Sequence, residues 1–306
     1  MALRDCMHSN IRRFEQSALC DLHANALWVK HPELSPPRMR IIADWILDVH
    51  DEYHLSDQSY YLAINILYRF LTDPNIESFR TLDVQVLASV VSTLASKVED
   101  VTSIDLEQYV MISTFGVDRA LRLELQVLRS LNWSVSAPTP LTFLETYLSV
   151  AKTSSLSNQK KQGKRTHDSR RQGASDGIIH NLVCFHLEAA QQEMDTSIKY
   201  TPSLQCVSAV FLVYKAHASC DVCDALLAYA GYGQRSEVEE CASKLIEAVD
   251  VAIRVVPSGS LTKSTVYKRY SRAQRMNVAS LCPLRLDEDD VSVDDEHDKA
   301  KRARRG

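Results

Sequence analysis

One histidine and two cysteines in the second half of the chain have the spacing of a partial metal site. His217, Cys220 and Cys223 are separated by two residues each. A structural zinc ion needs four protein ligands, so Cys206 or Cys241 would have to complete the set. The alternative, which we favour, is that these cysteines are buried in a helical core, where cysteine packs as a small apolar side chain. The sequence therefore predicts neither a bound metal nor a cofactor.

Glycine, which phosphate-binding loops require, is scarce. The chain has eight glycines, and Gly116 is the only one before residue 163. Gly231 and Gly233 are followed by Gln234 rather than by the rest of a dinucleotide-binding motif. No carboxylate pair and no nucleophile–base set stands out either. The formal net charge of -4 argues against a protein that mainly neutralises nucleic-acid phosphates. The prediction is a protein that is not itself an enzyme, has no catalytic residues and binds no nucleic acid.

Apolar residues recur along most of the chain at the three-to-four spacing of amphipathic helices. In the first half, helices are predicted at Ile41–Val49, Leu62–Phe70, Leu82–Leu94, about 104–114 and 117–131. In the second half, they are predicted at Pro140–Val150, Ile178–Glu193, Leu204–His217, Asp221–Ala230 and Glu237–Val255. The predicted fold is all-α, with two tandem five-helix bundles and flanking N- and C-terminal helices.

Composition divides the chain into four parts. Residues 1–37 are predicted to hold a helix and a proline-containing linker, residues 38–136 the first bundle, and residues 137–273 the second. Residues from about 152 to 176 are basic and poor in apolar side chains. We expect them to be a disordered insertion, because they cannot bury enough surface to offset the entropy of ordering. Residues 274–306, acidic and then basic, are predicted to be a disordered tail.

The sequence also predicts where the protein resides. A run of about 18 apolar residues is absent, so no membrane contact is expected, and residues 1–7 lack the apolar core of a signal peptide. The basic terminus KAKRARR is either a nuclear import signal or a generic tail. We expect the protein in the nucleus and cytoplasm, where its eight cysteines would be mainly free thiols.

Three separated motifs in the first half resemble the cyclin box. They are the stretch Met39–Leu71, which begins MRIIADW, then LASKVED at 94–100, and LELQVLRSLNW from Leu123 onwards. In the second half, VYKRYS at 266–271 is similar to the mitotic A/B subgroup. The resemblance implies a cyclin-fold, non-catalytic subunit that binds and activates a cyclin-dependent kinase and controls the G2/M transition. A cyclin-fold scaffold for transcription is the alternative, although such relatives usually lack the lysine–glutamate pair described next.

In the cyclin family, a lysine and a glutamate on the third and fifth helices grip the mobile helix of the kinase. Lys97 and Glu124 stand at those positions. As a pair in otherwise apolar helices, they could satisfy each other and still offer a donor and an acceptor to a partner. The alternative is that Lys97 merely ends a helix, where a cation is favoured, and that Glu124 is solvated. The flanking residues assigned to the same interface are Leu94, Val98, Leu128 and Val135.

The resemblance also implies a docking groove for Arg-x-Leu segments of substrates or inhibitors. Six residues are assigned to it: Ile41, Ile42, Trp45 and Asp48 on the first helix, and Val84 and Gln85 on the third. The first three share one helical face, and the aspartate follows one turn later as the expected partner of the peptide's arginine. An ordinary core stripe is the alternative, and we prefer it for Ile46 and Val49.

Two positions near this groove depart from the family pattern. The Met39-Arg40 pair lies one residue closer to Trp45 than the family's Met-Arg, which puts Met39 in the place of the arginine. Tyr68 stands where the family has an aspartate. In relatives these two positions form an ion pair, and losing both ends leaves no lone charge buried. The outer rim of the groove, and its affinity, are therefore expected to differ from those of relatives.

The linker segment Ser35-Pro36-Pro37-Arg38 has the form of a proline-directed phosphorylation site. Helix initiation is the alternative, and we favour it, because Ser-Pro pairs are common just before helices.

Overall fold

The N-terminal half of the chain forms a helical unit. The structure, a computed structural model, describes residues 8–13, 15, 28–105, 108, 116–161, 169–217, 220–254 and 264–282. The N-terminal unit holds α1 (Pro36–Glu52), α2 (Asp57–Thr72), α3 (Thr81–Glu99) and α4 (Val117–Ser130). These match four of the five predicted helices. The fifth prediction, at about 104–114, falls mostly outside the described residues.

The C-terminal half forms a second helical unit. It holds α5 (Pro140–Lys161), α6 (Ser169–Gln191), α7 (Met194–Lys199), α8 (Pro202–His217), α9 (Cys220–Ala230) and α10 (Arg235–Ile253). All five predicted helices are present, and the short α7 is additional. Helix α11 (Thr265–Tyr270) and two 3₁₀ turns, Ala273–Arg275 and Val278–Leu281, follow. The described residues contain no β-strand, and the all-α prediction with two tandem units is confirmed.

The starts of several helices follow from their first residues. Ser35 is the N-cap of α1, and prolines occupy its first positions, where a missing N–H costs nothing. This is the helix initiation that the sequence favoured. Ser56 caps α2 by accepting a hydrogen bond from the Ser59 backbone N–H at 3.2 Å. Ser264 caps α11 in the same way, from the backbone N–H of Tyr267. Such caps satisfy donors that a helix leaves free at its start.

Each unit is built around one helix that is buried on all sides. In α3, residues 86–96 are buried without interruption, and in α8 the same is true of residues 203–214. Both stretches are almost wholly apolar or small, as a helix surrounded by other helices requires. The remaining helices of each unit pack around these two and present polar residues outwards.

Polar contacts join the two units. The Asp44 carboxylate of α1 accepts hydrogen bonds from Gln192 Nε2 at 2.8 Å and from the backbone N–H of Thr265 at 2.8 Å. At the N-terminus, Glu15 is 2% exposed and accepts hydrogen bonds from the backbone N–H and Oγ of Ser203 at 2.6 and 2.7 Å. The guanidinium of Arg12 lies 4.5 Å from the centre of the Tyr232 ring. The N-terminal segment therefore contacts the second unit.

Part of the predicted disordered insertion is helical. Helix α5 continues to Lys161 and α6 begins at Ser169, so residues 152–161 and 169–176 correct the prediction, while residues 162–168 lie outside the described part. Lysine, glutamine and arginine are polar but good helix formers. A polar segment without proline can therefore extend a helix that is anchored elsewhere. An ion pair between Lys152 and Asp176 joins the two extensions.

The first residues of the predicted disordered tail are also ordered. Residues 274–282 contain most of the two 3₁₀ turns, and Val278 and Ala279 are buried at 0% and 2% exposure. This apolar pair packs into the core and anchors the segment, which corrects the boundary of the tail. Residues 283–306 lie outside the described part of the chain.

The cysteines that suggested a metal site are core residues where the structure describes them. Cys206, Cys223 and Cys241 are each 0% exposed. Burial raises the pKa of the Cys241 thiol to about 12, so it stays protonated. The side chains of His217 and Cys220 lie outside the described part. Within the described ranges, no helix has both the length and the apolarity to cross a bilayer.

Candidate functional site

The C-terminal turn of α3 and the middle of α4 bring Lys97 and Glu124 together. The Lys97 Nζ atom lies 2.9 Å from Oε1 of Glu124. The lysine side chain is 43% exposed and the glutamate side chain 15%, so the pair lies at the surface. A surface pair of this kind contributes roughly 0–1 kcal/mol to stability. Stability alone therefore does not account for the arrangement.

This ion pair leaves hydrogen-bonding capacity unused. Among the described residues, Lys97 and Glu124 make a hydrogen bond only to each other. Two N–H donors of the ammonium group and one carboxylate oxygen therefore remain. Such a pair can bind backbone C=O and N–H groups that lack partners, as at the end of a helix or in a loop. The two residues meet as the sequence suggested, and their role in binding stays a prediction.

The four apolar residues assigned to the same interface differ in exposure. Val98 is 46% exposed, and Leu128 and Val135 are partly buried. Leu94 is only 6% exposed, so it supports the surface from beneath. Three of the four thus offer apolar area beside the ion pair.

Four further exposed apolar residues flank this region, and the sequence reasoning missed them. Leu121 is 49% exposed, Leu125 38%, Val101 107% and Trp133 64%. Trp133 also has a φ of 61°, an unusual conformation for a bulky side chain. A group of exposed apolar side chains marks an interaction surface. We call Lys97, Glu124 and the exposed or partly exposed residues around them the α3–α4 surface.

The pattern of leucines in α4 contains the signal that was missed. Ala120, Leu123 and Val127 form its buried face. Leu121 and Leu125 are one turn apart on another face, and both are exposed. A surface helix needs only one apolar stripe for its own core, so a second stripe indicates a partner.

The predicted docking groove is partly exposed. Ile41 is 66% exposed, and Ile42 and Trp45 are partly buried against the core. Trp45 also packs against the buried residues Val49 and Ile104. An exposed isoleucine beside a half-buried tryptophan offers apolar surface of the kind a short peptide can bind.

The other groove residues have different surroundings. Asp48 is exposed, and it accepts a hydrogen bond from Thr265 Oγ1 at 2.8 Å. Although the residue is exposed overall, partial desolvation of its carboxylate raises the pKa of Asp48. The hydrogen bond from Thr265 opposes this, and neighbouring Asp44 raises the pKa further. Gln85 is exposed, but Val84 is 0% exposed. The assignment of Val84 to the wall is therefore corrected: its side chain faces the core because α3 is buried on that side.

The two positions that depart from the family pattern contact the second unit. Met39 is 0% exposed. Arg40 forms a two-pronged ion pair with Glu193, with Nε–Oε1 and Nη2–Oε2 distances of 2.6 and 2.9 Å. The Tyr68 hydroxyl donates a hydrogen bond to the backbone oxygen of Gln191 at 2.8 Å. In place of the family's ion pair, this chain has neutral or paired groups, and no lone charge is buried at these positions.

A cluster of charges at the junction of the units was not predicted. Arg269 of α11 lies 3.2 Å from Asp51, 2.9 Å from Glu188 and in direct contact with Asp57. Its side chain is 10% exposed and that of Glu188 only 1%. The hydroxyl of Tyr270 also donates to Glu188, at 2.8 Å. This junction cluster (Arg269, Glu188, Asp51 and Asp57) joins α11 to both units.

Two family models together match most of the chain. A model described as the cyclin N-terminal domain matches residues 7–136, and one described as the cyclin C-terminal domain matches residues 138–284. G2/mitotic-specific cyclin S13-7 of Glycine max is 26% identical over 285 residues, which are 90% of this chain and 96% of that protein. Cyclin-B1-1 of Arabidopsis thaliana is 23% identical over 279 residues, or 90% of this chain.

Other relatives are longer than the matched region. The match to Cyclin-B1-1 spans 59% of that protein. Cyclin-A1 of Mus musculus is 27% identical over 257 residues, which are 83% of this chain and 55% of the relative. Among solved structures, a viral cyclin from herpesvirus saimiri has the same fold, with a TM-score of 0.63. The two chains are 14% identical, and the alignment covers 79% of this chain and 96% of the viral one.

Proposed function

Since the chain belongs to the cyclin family, we propose that it binds and activates a cyclin-dependent Ser/Thr protein kinase. The observation that carries the proposal is the α3–α4 surface, where a half-exposed Lys97–Glu124 pair lies among exposed apolar side chains. The apolar side chains would supply most of the binding energy, as central anchors of interfaces do. The ion pair would fix the orientation of the kinase by hydrogen bonds to its backbone.

The activation is positional. By holding the glutamate-bearing helix of the kinase inwards, the α3–α4 surface would complete the lysine–glutamate ion pair that orients the phosphates of ATP. All chemistry of phosphoryl transfer belongs to the kinase. The cyclin contributes a rigid surface, and its stiffness comes from α3, which is buried over residues 86–96 directly before Lys97.

Substrate recruitment is the second part of the proposal. Ile41 and Trp45 would hold the leucine of an Arg-x-Leu segment, and Asp48 would pair with its arginine. Linking a substrate to the complex in this way raises its effective concentration near the kinase. The similarity to G2/mitotic-specific cyclins supports a role at the G2/M transition, and we propose that the protein acts in the nucleus and cytoplasm.

The test compares kinase capture by wild-type protein and by the Lys97→Ala/Glu124→Ala variant. Each is immobilised, incubated with cell extract and assayed for histone kinase activity on the beads. The wild-type protein is expected to recover a proline-directed kinase, and the double variant is expected to lose it. The free energies of unfolding of the two proteins should agree within about 1 kcal/mol, because the Lys97–Glu124 ion pair lies at the surface.

A matched control is available in the second unit. Lys244 and Glu247 form an ion pair of 2.7 Å, with side chains 44% and 62% exposed. The Lys244→Ala/Glu247→Ala variant removes the same two charges and should capture the kinase normally. If the Lys97/Glu124 variant recovers the same kinase activity as wild type, or if wild type recovers none, the activating role is wrong. A scaffold that binds other proteins would then be the better account.

A further inference from the structure

Two adjoining hollows lie along α4, on a face of the helix that the proposed kinase contact does not use. One has a volume of about 670 Å³ and is lined by the end of α2, the segment after it and α4, including Arg122 and Arg129. The other, of about 390 Å³, includes Arg119. Arg122 and Gln126 line both hollows. The two form one channel, which we call the arginine channel.

The side chains of Arg122 and Arg129 are the positive charges of this channel that lack a partner among the described residues. Both side chains are exposed, and within the described part of the chain neither makes an ion pair or a hydrogen bond. Arg119, in contrast, pairs with Asp83. The guanidinium groups of Arg122 and Arg129 therefore keep all their donors for a ligand.

The spacing of these arginines indicates the length of the ligand. Arg122, Gln126 and Arg129 lie at i, i+4 and i+7 on one face of α4. With a rise of about 1.5 Å per residue, the two arginines are about 10.5 Å apart along the helix. A peptide in the polyproline II conformation has three residues per turn and rises about 3.1 Å per residue, so side chains three positions apart share one face and lie about 9 Å apart. Two negative groups three positions apart in a peptide would match them.

The rest of the channel fits a peptide backbone. Its base contains Ile76 and Leu131, which are 8% and 6% exposed, and its rim carries the exposed amides of Asn75 and Asn132. Amide groups both donate and accept, as recognition of a backbone requires. An apolar floor, a rim of amide groups and two free arginine side chains together form a groove that suits a short peptide segment.

We propose that the arginine channel binds peptides with two phosphorylated residues three positions apart, one phosphate at Arg122 and the other at Arg129. A guanidinium group binds a phosphate through two parallel hydrogen bonds, which favours arginine at phosphate sites. The amide of Gln126, between the two arginines, can donate to either phosphate. This proposal goes beyond kinase binding and does not depend on it.

The walls of the channel favour a peptide over a nucleic acid. Asp73, Glu77 and Asp83 also line it. The Asp73 carboxylate is held by hydrogen bonds from Ser130 Oγ and from the Asn75 backbone N–H. Burial raises the pKa of Asp73, but these hydrogen bonds outweigh burial and lower it overall, so the group stays charged. A strand with a phosphate on every nucleotide would meet these carboxylates, whereas a peptide with two discrete phosphates need not.

The test is fluorescence anisotropy with the full chain and labelled ten-residue peptides. The probes carry two phosphoserines three positions apart, two adjacent phosphoserines, two glutamates three positions apart, or two unmodified serines. The first is expected to bind tightest, and Arg122→Ala/Arg129→Ala should weaken it at least about tenfold because charge-assisted hydrogen bonds are lost. Because both side chains are exposed, the variant should unfold at the wild-type temperature.

The matched control is Lys244→Ala/Arg254→Ala, which removes two positive charges from the second unit, one half-exposed and one exposed, and should leave peptide binding unchanged. Equal weakening by this control would overturn the proposal, because general electrostatic attraction would then explain binding. Equal affinity for the glutamate peptide, or tighter binding of a single-stranded oligonucleotide, would also overturn it. Kinase capture by the Arg122/Arg129 variant, measured separately, should be retained, which keeps this test apart from that of the kinase contact.

Discussion

The two helical units have similar cores and different surfaces. Each surrounds a helix that is buried on all sides, α3 in one and α8 in the other. Large exposed apolar side chains, however, are concentrated in the N-terminal unit: Ile41, Tyr53, Val98, Val101, Leu121, Leu125 and Trp133. In the described residues between 137 and 254 there is none, and the C-terminal half shows only Met276 and Leu281, in the described segment after α11.

An exposed apolar side chain contributes nothing to the core. We therefore infer that the N-terminal unit carries the surfaces that bind partners and that the C-terminal unit supports it. The N-terminal unit carries the α3–α4 surface, the predicted docking groove and the arginine channel. The C-terminal unit provides Glu193 as a partner for Arg40 of the N-terminal unit, Glu188 as a partner for Arg269 of α11, and Ser203 as a partner for the N-terminal segment. If the proposed binding surfaces are correct, a fold used twice in one chain performs two tasks.

The largest effect is expected where the two units meet. Arg269→Met should destabilise the protein by about 3–5 kcal/mol, because it leaves the buried Glu188 without its ion-pair partner. Chemical denaturation measures this directly. Arg272→Met is the control, since Arg272 is 54% exposed and pairs only at the edge of the junction cluster. Equal, small losses in both variants would mean that the units do not depend on the junction for stability.

A pH titration tests a feature that the units share. His50 of α1 and His186 of α6 are buried, and each ring contacts the backbone oxygen four residues earlier at 2.8 Å. Burial lowers the pKa of each histidine to about 4. The unfolded state, with a pKa near 6.5, therefore binds more protons between these values, and stability falls as the pH falls.

Between pH 7 and pH 5, each of these histidines should cost about 2 kcal/mol of unfolding free energy. His186→Asn keeps a donor near the Leu182 backbone oxygen and removes the titration. The variant should therefore lose about 2 kcal/mol less than wild type over the same pH range. Denaturant unfolding at both pH values measures the difference, and parallel pH dependence in the two proteins would contradict it.

The smallest effect on stability is expected on the α3–α4 surface. Leu121→Ser/Leu125→Ser should change the free energy of unfolding by less than about 1 kcal/mol, since exposed substitutions seldom do more, while kinase capture is lost. Leu123→Ala, in the same helix but 9% exposed, should cost about 2–4 kcal/mol. Leu121→Ser/Leu125→Ser should be the more stable variant and the one that captures less kinase, and Leu123→Ala the reverse. That result would sharpen the division between binding and core residues. Capture that survives the double substitution would break it.

The sequence predicted helix positions well because an amphipathic period is a local property. It suggested that Lys97 and Glu124 meet, because the motifs around them are specific, and the structure brings the two side chains together; their role in binding a kinase stays a prediction. It did not predict the junction cluster, since Arg269 and Asp57 are 212 residues apart and nothing local indicates that they meet. Val84 was misplaced for a related reason: helical spacing says which residues share a face, but only the packing of neighbours decides whether that face is open.

Disorder was the least reliable inference. It was drawn from composition over residues 152–176, yet α5 and α6 extend into both ends of that range. Composition measures how much surface a segment can bury by itself. It does not register that a helix already nucleated by a packed core can be extended one residue at a time at little further cost.

The contact between the N-terminal segment and the second unit has a consequence for how the protein is made. Glu15 is separated from Ser203 by 188 residues, and Arg12 from Ala230 by 218. A ribosome adding about 5–20 residues per second needs roughly 10–40 s to synthesise the intervening chain. The N-terminal unit can fold during that time, but its leading segment must wait for a surface that does not yet exist. The contacts of Arg12 and Glu15 with the second unit are thus among the last native contacts to form.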